Sequence, residues 1–209
     1  MSEPDAAETW EARYAERDQI WSGKPNDALV SAATGLSPGT ALDLGCGEGG
    51  DSVWLAEQGW HVTAVDIAPT AVARAQALAA RRHVPDEQIR WMVEDLRSWS
   101  PPDRYDLVSA CFLHSWGDFP RTEVLRRAAS TVKPGGHLLV VGHAAAPPWS
   151  QGHHHEHHFP APAEDVADLQ LEPPGWEVVI SEVRSRDAVG PDEQRAHLDD
   201  AVILARRSA

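Results

Sequence analysis

The stretch Ala41 to Asp51, ALDLGCGEGGD, puts four glycines (Gly45, Gly47, Gly49 and Gly50) within six residues, directly after an apolar run. Glycine is entropically costly in ordered structure, so this density points to a ligand or another backbone coming very close. Gly45, Gly47 and Gly50 satisfy G-x-G-x-x-G, and Asp66 follows 21 residues after Gly45. Between a strand and a helix, this spacing suits a nucleoside: loop amides meet an anionic group, and the acid accepts from both ribose hydroxyls. Asp43 stands two residues before Gly45, giving D-x-G-x-G-x-G. A carboxylate there repels a pyrophosphate and attracts the ammonium of a methionine moiety. The loop therefore favours a sulfonium-bearing amino-acid nucleoside over NAD, and an NAD oxidoreductase is the weakest reading.

The elements that position these residues are legible as an alternation. ETWEARYAERDQIW predicts an amphipathic helix with Trp10, Tyr14 and Trp21 on one face, broken by SGKPND. ALVSAATGL predicts a second helix, ALDLG a short strand and GDSVWLAEQG a helix ended by Gly59. WHVTAVDI alternates like a strand, and PTAVARAQALAARRH is an alanine-rich helix with Pro69 near its start. QIRWMVED and YDLVSACFL predict strands, RTEVLRRAASTV a helix stopped by KPGG, and HLLVVGH a fifth strand. From Ala144 the chain is Pro- and His-rich; APAEDVADL then predicts a short helix, and WEVVISEVRSR and HLDDAVILARR a closing pair of strands. Strands alternating with helices give a mostly parallel α/β sheet, with the last two strands as a hairpin on one edge. The ligand then binds outside the carboxyl ends of the strands, at Gly45, Asp66, Asp95, the Cys111–His114 region and His143.

Composition narrows the classes. At 209 residues with 42% hydrophobic content, the chain predicts a single domain over 1–209. Within it, 1–36 forms an N-terminal helical lid and 144–165 a His/Pro-rich insertion. Two cysteines far apart in sequence make no disulfide framework and fit a reducing cytosol. The acidic, polar N-terminal text is unlike a signal peptide, and no apolar run approaches a membrane span, so a cytoplasmic place is expected. Eighteen basic against 32 acidic residues leave a formal charge of −14, which argues against nucleic acid as a partner.

The texts ALDLGCGEGGDSVWLAEQGWHVTAVDIAP, VEDL, YDLVSACFLH and VKPGGHLLVVG resemble the Rossmann-like (class I) S-adenosylmethionine-dependent methyltransferases. The resemblance covers roughly residues 8 to 143 and is closest to the small-molecule branch of thiopurine and tellurite-resistance methyltransferases. It implies a seven-stranded, mostly parallel sheet with helices on both faces and an antiparallel last strand. Carried over residue by residue, it places Asp43, Gly45, Cys46 and Gly47 at the methionine end of S-adenosylmethionine. It gives Asp66 the ribose hydroxyls, puts Ile67 under the adenine, and sets Asp95 at the adenine amino group with Leu96 beside it. Cys111 and Phe112 lie under the sulfonium, Trp21 closes over the cofactor, and Arg13 reaches its carboxylate. The product is S-adenosylhomocysteine. A binding module holding S-adenosylmethionine or a metal without turnover is the alternative.

The acceptor is written less plainly. The Asn/Asp-Pro-Pro-Tyr motif of amino-methyltransferases is replaced by Cys111-Phe-Leu-His114, and no Cys-rich arsenic site is present. A sulfonium is already an activated donor, so the chief requirement is an acceptor held in line. A base is needed only where the acceptor keeps its proton, and His114 and His143, at two strand ends, are the candidates. In GHHHEHHFP, His153, His154, His155, His157 and His158 surround Glu156. Imidazoles and a carboxylate are ligands for Zn, Ni, Cu or Fe. Three readings stay open: a solvated loop, which is favoured, a substrate lid, and a metal site joined by His143. A small-molecule acceptor is the expected partner, its nucleophile open among thiol, selenide, tellurite, halide, hydroxyl, amine and carboxylate.

Overall fold

The computed structural model describes residues 6–114, 119–149, 158–190 and 193–209. Helices α1 (Ala6–Ala15) and α2 (Asp27–Ala33) lead into β1 (Thr40–Leu44), α3 (Gly50–Glu57), β2 (His61–Asp66) and α4 (Pro69–Arg81). A 3-10 turn precedes β3 (Ile89–Val93), followed by β4 (Tyr105–Cys111), α5 (Arg121–Ala129), β5 (Val132–His143), α6 (Pro162–Asp168), β6 (Trp176–Val189) and β7 (Arg195–Arg207). The seven strands order as β3-β2-β1-β4-β5-β7-β6. Strands β1 to β5 pair in parallel, while β7 runs antiparallel to both β5 and β6. This is the expected Rossmann-like architecture, with the closing hairpin on one edge.

Packing follows from the apolar text. Central strand β1 is buried at Ala41, Leu42 and Leu44, as a strand covered on both faces must be. One face packs Leu29 of α2 and Val53 and Leu55 of α3 with Trp60 and Ala64. The other packs Val124, Leu125 and Ala128 of α5 and Leu169 after α6 against Leu44, Val65 and Leu138. Helices therefore cover both faces, and the carboxyl ends of the parallel strands β1, β2, β4 and β5 lie along one edge of the sheet. Among the described residues no helix is long and apolar enough to cross a membrane.

Two predicted boundaries move. KPGG does not separate α5 from the fifth strand; it lies within β5, as a bulge between the pairs Tyr105↔Val132 and Leu107↔His137. The bulge brings Gly136 against the Asp106 carbonyl, where an added Cβ would stand at 2.8 Å, too close for a side chain. The first helix stops at Ala15, so Trp21 does not share a helical face with Trp10 and Tyr14. The cause is tertiary. The amides of Ile20 and Trp21 donate to the Glu48 carboxylate instead of continuing a helical ladder.

Candidate functional site

The glycine loop leaves β1 with its backbone turned over β2: the Gly45 and Cys46 amides donate to the Val65 carbonyl at 2.8 and 3.0 Å. Gly45 and Gly47 have φ of +69° and +53°, a left-handed conformation that suits glycine. At the end of β2, the two carboxylate oxygens of Asp66 accept from Gly47 N (2.8 Å) and Ala68 N (3.0 Å). Asp66 thus clips the glycine loop to the β2 turn, and each oxygen keeps a lone pair for a hydroxyl. Burial raises its pKa, against the opposing pull of those amides.

Asp43 lies beneath the loop, 2% exposed. It accepts from the hydroxyls of Ser52 (2.6 Å) and Ser109 (3.1 Å). Burial, then the neighbouring Asp51 charge, pushes its pKa up to about 7. Two hydroxyl donors satisfy the carboxylate in part; a positive group above the loop would complete it. Asp51 is raised by burial as well, and is bound by the Asn26 backbone and side-chain amides at 2.6 and 2.7 Å. Cys46 and Cys111 are held as neutral thiols: burial raises both, and Asp66 and Asp51 respectively add to it.

The N-terminal segment runs along this loop in register. Trp21 packs over Gly47, where an added Cβ would lie 3.3 Å from the indole. Its Nε1 donates to the Tyr14 hydroxyl at 3.0 Å. Tyr14 is buried, which raises its pKa, and the charge of Asp66 adds to this. Three residues on, the Lys24 carbonyl passes so close to Gly50 that an added Cβ would meet its oxygen at 2.5 Å. That glycine is required by the chain's own backbone. Glu48 is the latch: besides the Ile20 and Trp21 amides it takes Arg74 Nη1 at 2.9 Å. The second arm of Arg74 donates to the Tyr14 and Arg17 carbonyls, both at 2.8 Å. Arg13, expected to face the cofactor, pairs with exposed Glu16 one turn on, while Arg74 pairs with Glu48 of the glycine loop.

The remaining predicted residues lie along the same edge. Asp95 accepts from Arg97 Nε at 2.8 Å, and that bond holds its pKa below the usual carboxylate value. Leu96 is buried beside it, while Ile67 is half-buried next to Asp66. Cys111 ends β4, and Phe112 follows in a left-handed conformation at φ +54°. The Phe112 ring lies 4.6 Å from that of His143, and His114 stacks on His143 at 5.7 Å with 9° between planes. His114, His143 and Phe112 are thus brought together beside the glycine loop, whose Gly45 faces Leu113.

Of the histidine-rich text, His153, His154, His155 and His157 lie outside the described residues. His158 pairs with Glu164 at 3.3 Å and is well exposed. Among the described residues no three metal-ligating side chains converge. The insertion's first part is anchored: the Trp149 indole lies flat against Gly190, where an added Cβ would meet it at 2.4 Å. Glu48, Arg74, Ser52, Ser109 and Asp200 join the site only through the fold. Only Glu48, inside the glycine loop, and Asp200, before the apolar run AVIL, carried any local signal.

Residues 41–136 match the family model described as "Methyltransferase domain". An uncharacterized methyltransferase of Mycobacterium bovis is 38% identical over 127 residues, 59% of this chain and 61% of that protein. A probable thiol methyltransferase of Arabidopsis thaliana is 31% identical over 137 residues, 63% of this chain and 60% of its own length. In each case the chain spans less than two thirds of the relative. The fold superposes on the N-methyltransferase NodS from Bradyrhizobium japonicum, solved with S-adenosyl-L-homocysteine. That match has a TM-score of 0.69 and 19% identity, covering 98% of this chain and 100% of that one.

Proposed function

We propose, on the premise that this chain carries a Rossmann-like (class I) S-adenosylmethionine-dependent methyltransferase domain, that it methylates a small-molecule nucleophile. The observation that carries the reading is the pair of buried acids around the glycine loop. Asp66 closes the loop at the end of β2, and Asp43 lies beneath it. This acid-lined cradle suits a ligand with two ribose hydroxyls and a cationic amino-acid end, and disfavours a pyrophosphate.

In this reading Asp66 takes the ribose, and Ile67, Asp95 and Leu96 surround the adenine. Asp43, Gly45, Cys46 and Gly47 hold the methionine end, and Cys111 and Phe112 lie below the sulfonium. S-adenosylmethionine supplies an activated methyl group, so the protein's part is positioning, worth up to roughly 7–11 kcal/mol in ideal cases. Trp21, latched through Glu48, excludes water from the methionine end. His114 and His143 border the acceptor, and either is placed to receive its proton. The neutral thiols of Cys46 and Cys111 are poor nucleophiles toward the activated methyl group. The charge of −14 favours a small acceptor over a polyanion. A cytoplasmic setting fits the two free cysteines.

The test is transfer of labelled methyl from S-adenosylmethionine to a panel of phenols, thiols, amines and halides, beside calorimetry with S-adenosylhomocysteine. Binding with turnover supports the reading. Binding without turnover of any acceptor favours a binding module, and no binding removes the cofactor assignment.

A further inference from the structure

The carboxyl end of β5 carries a polar arrangement apart from the residues assigned above to the cofactor. His143 and Asp200 are directly opposed in the antiparallel β5–β7 register. A cross-strand pair puts both side chains on one face of the sheet. His143 Nδ1 and Asp200 Oδ1 approach to 3.4 Å. Neither atom has a hydrogen-bond partner among the described residues, although both are buried. The Asp200 side chain is 5% exposed, and its other oxygen accepts from Arg186 Nε of β6 at 2.5 Å. The Arg186 guanidinium in turn lies 5.5 Å over the Phe112 ring. A charge this deeply buried is costly unless it is paired. Arg186 meets half of the demand, and a proton on the facing imidazole nitrogen meets the rest.

We propose that Asp200, held by Arg186, positions His143 with its proton on Nδ1, leaving Nε2 as the base for an acceptor that keeps its proton at neutral pH: an aromatic hydroxyl or thiol. The inference rests on the methyl-transfer reading and names its acceptor class. The His114, His143 and Phe112 rings cluster at this strand end, an aromatic lining that suits a planar acceptor ring. In the step, the acceptor's O–H or S–H bond gives its proton to His143 Nε2. The freed electron pair forms the bond to the methyl carbon, and the methyl–sulfur bond breaks with its pair left on sulfur. S-adenosylhomocysteine leaves as a neutral thioether. The imidazolium, balanced by Asp200, returns its proton to water. Asp200 and Arg186 are positioning residues; His143 is the catalytic one.

Two measurements test this. Nitrogen-15 spectroscopy of the full chain reports the His143 tautomer, its signal assigned by disappearance in His143→Gln. The expected state is protonated Nδ1 in the wild type, lost in Asp200→Ala; protonated Nε2 in the wild type overturns the positioning role. The second measurement is turnover of a phenol and thiophenol series graded in acidity, by the wild type and by Asp200→Asn, which keeps the side-chain volume if Asp200→Ala does not fold. The expected loss is in kcat: about 10²-fold for the weakest acids, shrinking as acceptors ionise unaided. An equal loss across the series reduces Asp200 to a structural role. Failure of the wild type to methylate any phenol or thiophenol, with S-adenosylhomocysteine still bound, overturns the acceptor class. Loss of S-adenosylhomocysteine binding overturns the underlying reading instead.

Discussion

The two halves of the sheet's carboxyl edge are built on opposite plans. On the β1–β2 side nearly every polar group is engaged within the chain. Asp66 clips two amides, Asp43 takes two hydroxyls, Asp51 takes Asn26, and Glu48 gathers two amides and a guanidinium. On the β4–β5 side, His143 stacks on His114, and its Nδ1 and the facing Asp200 Oδ1 are buried without a hydrogen-bond partner among the described residues. In the proposed function the first half is preorganised around one ligand, and the second keeps polar capacity in reserve for a group that brings or gives up a proton. For the proposed methyl transfer, a constant donor rewards a rigid cradle, whereas catalysis at the acceptor needs groups whose bonding changes during reaction.

The largest expected break of the closed half is Asp66→Ala. It removes two backbone clips and, in the proposed complex, two charge-assisted bonds to ribose, each worth roughly 1.5–3 kcal/mol. Affinity for S-adenosylhomocysteine should fall at least about tenfold, since about 1.4 kcal/mol is a factor of ten. Calorimetry giving unchanged affinity in a folded variant would remove Asp66 from the site.

Glu48→Gln comes next. It keeps the shape but loses the charge that Arg74 and two amides share. Leaving such donors poorly satisfied costs about 1–3 kcal/mol. Part of this should appear as an affinity loss for S-adenosylhomocysteine of several-fold. Amide exchange should quicken at Ile20 and Trp21 while β1 and β2 stay protected. Unaltered exchange at those two amides would show that the latch lies elsewhere.

A pH effect sharpens the same contrast. Burial raises Asp43 from 3.8 to about 7, so the folded protein holds a proton there that the unfolded chain has released. Stability from this group is fully present below about pH 4 and is lost as pH rises through about 7. Melting temperatures should therefore fall from pH 5 to 7.5, with a shallower slope in Asp43→Asn. In the proposed complex an ammonium near the loop favours the ionised carboxylate. Calorimetry near pH 6 in buffers of different ionisation enthalpy should then show net proton release on binding S-adenosylhomocysteine. Equal slopes for both proteins would place the titration on another group.

The smallest effect is at Trp21. Trp21→Phe keeps the apolar cover over Gly47 but loses the indole bond to Tyr14, a net contribution of about 1 kcal/mol. Affinity should drop only a few-fold, while most of the cofactor-induced change in tryptophan fluorescence disappears. A full fluorescence response in the variant would move the cover to one of the eight other tryptophans.

What the amino-acid sequence determined by itself is whatever local periodicity and spacing encode. The strand–helix alternation, the edge hairpin, and the placing of Gly45, Asp66, Asp95, Cys111 and His143 at strand ends all follow from residues within a few positions of one another. The tertiary structure alone decided the rest. A helix drawn through Trp21 is locally sensible, and it fails because Glu48, 27 residues away, takes the Trp21 amide. Glycine density announced a close approach, and the fold decided that the neighbour at Gly50 is the backbone of Lys24. Asp200 reads as an ordinary strand-entry acid until the β5–β7 register sets it opposite His143 and buries it. Hydrogen bonds and burial act through space, and no spacing rule links two residues 57 apart in sequence.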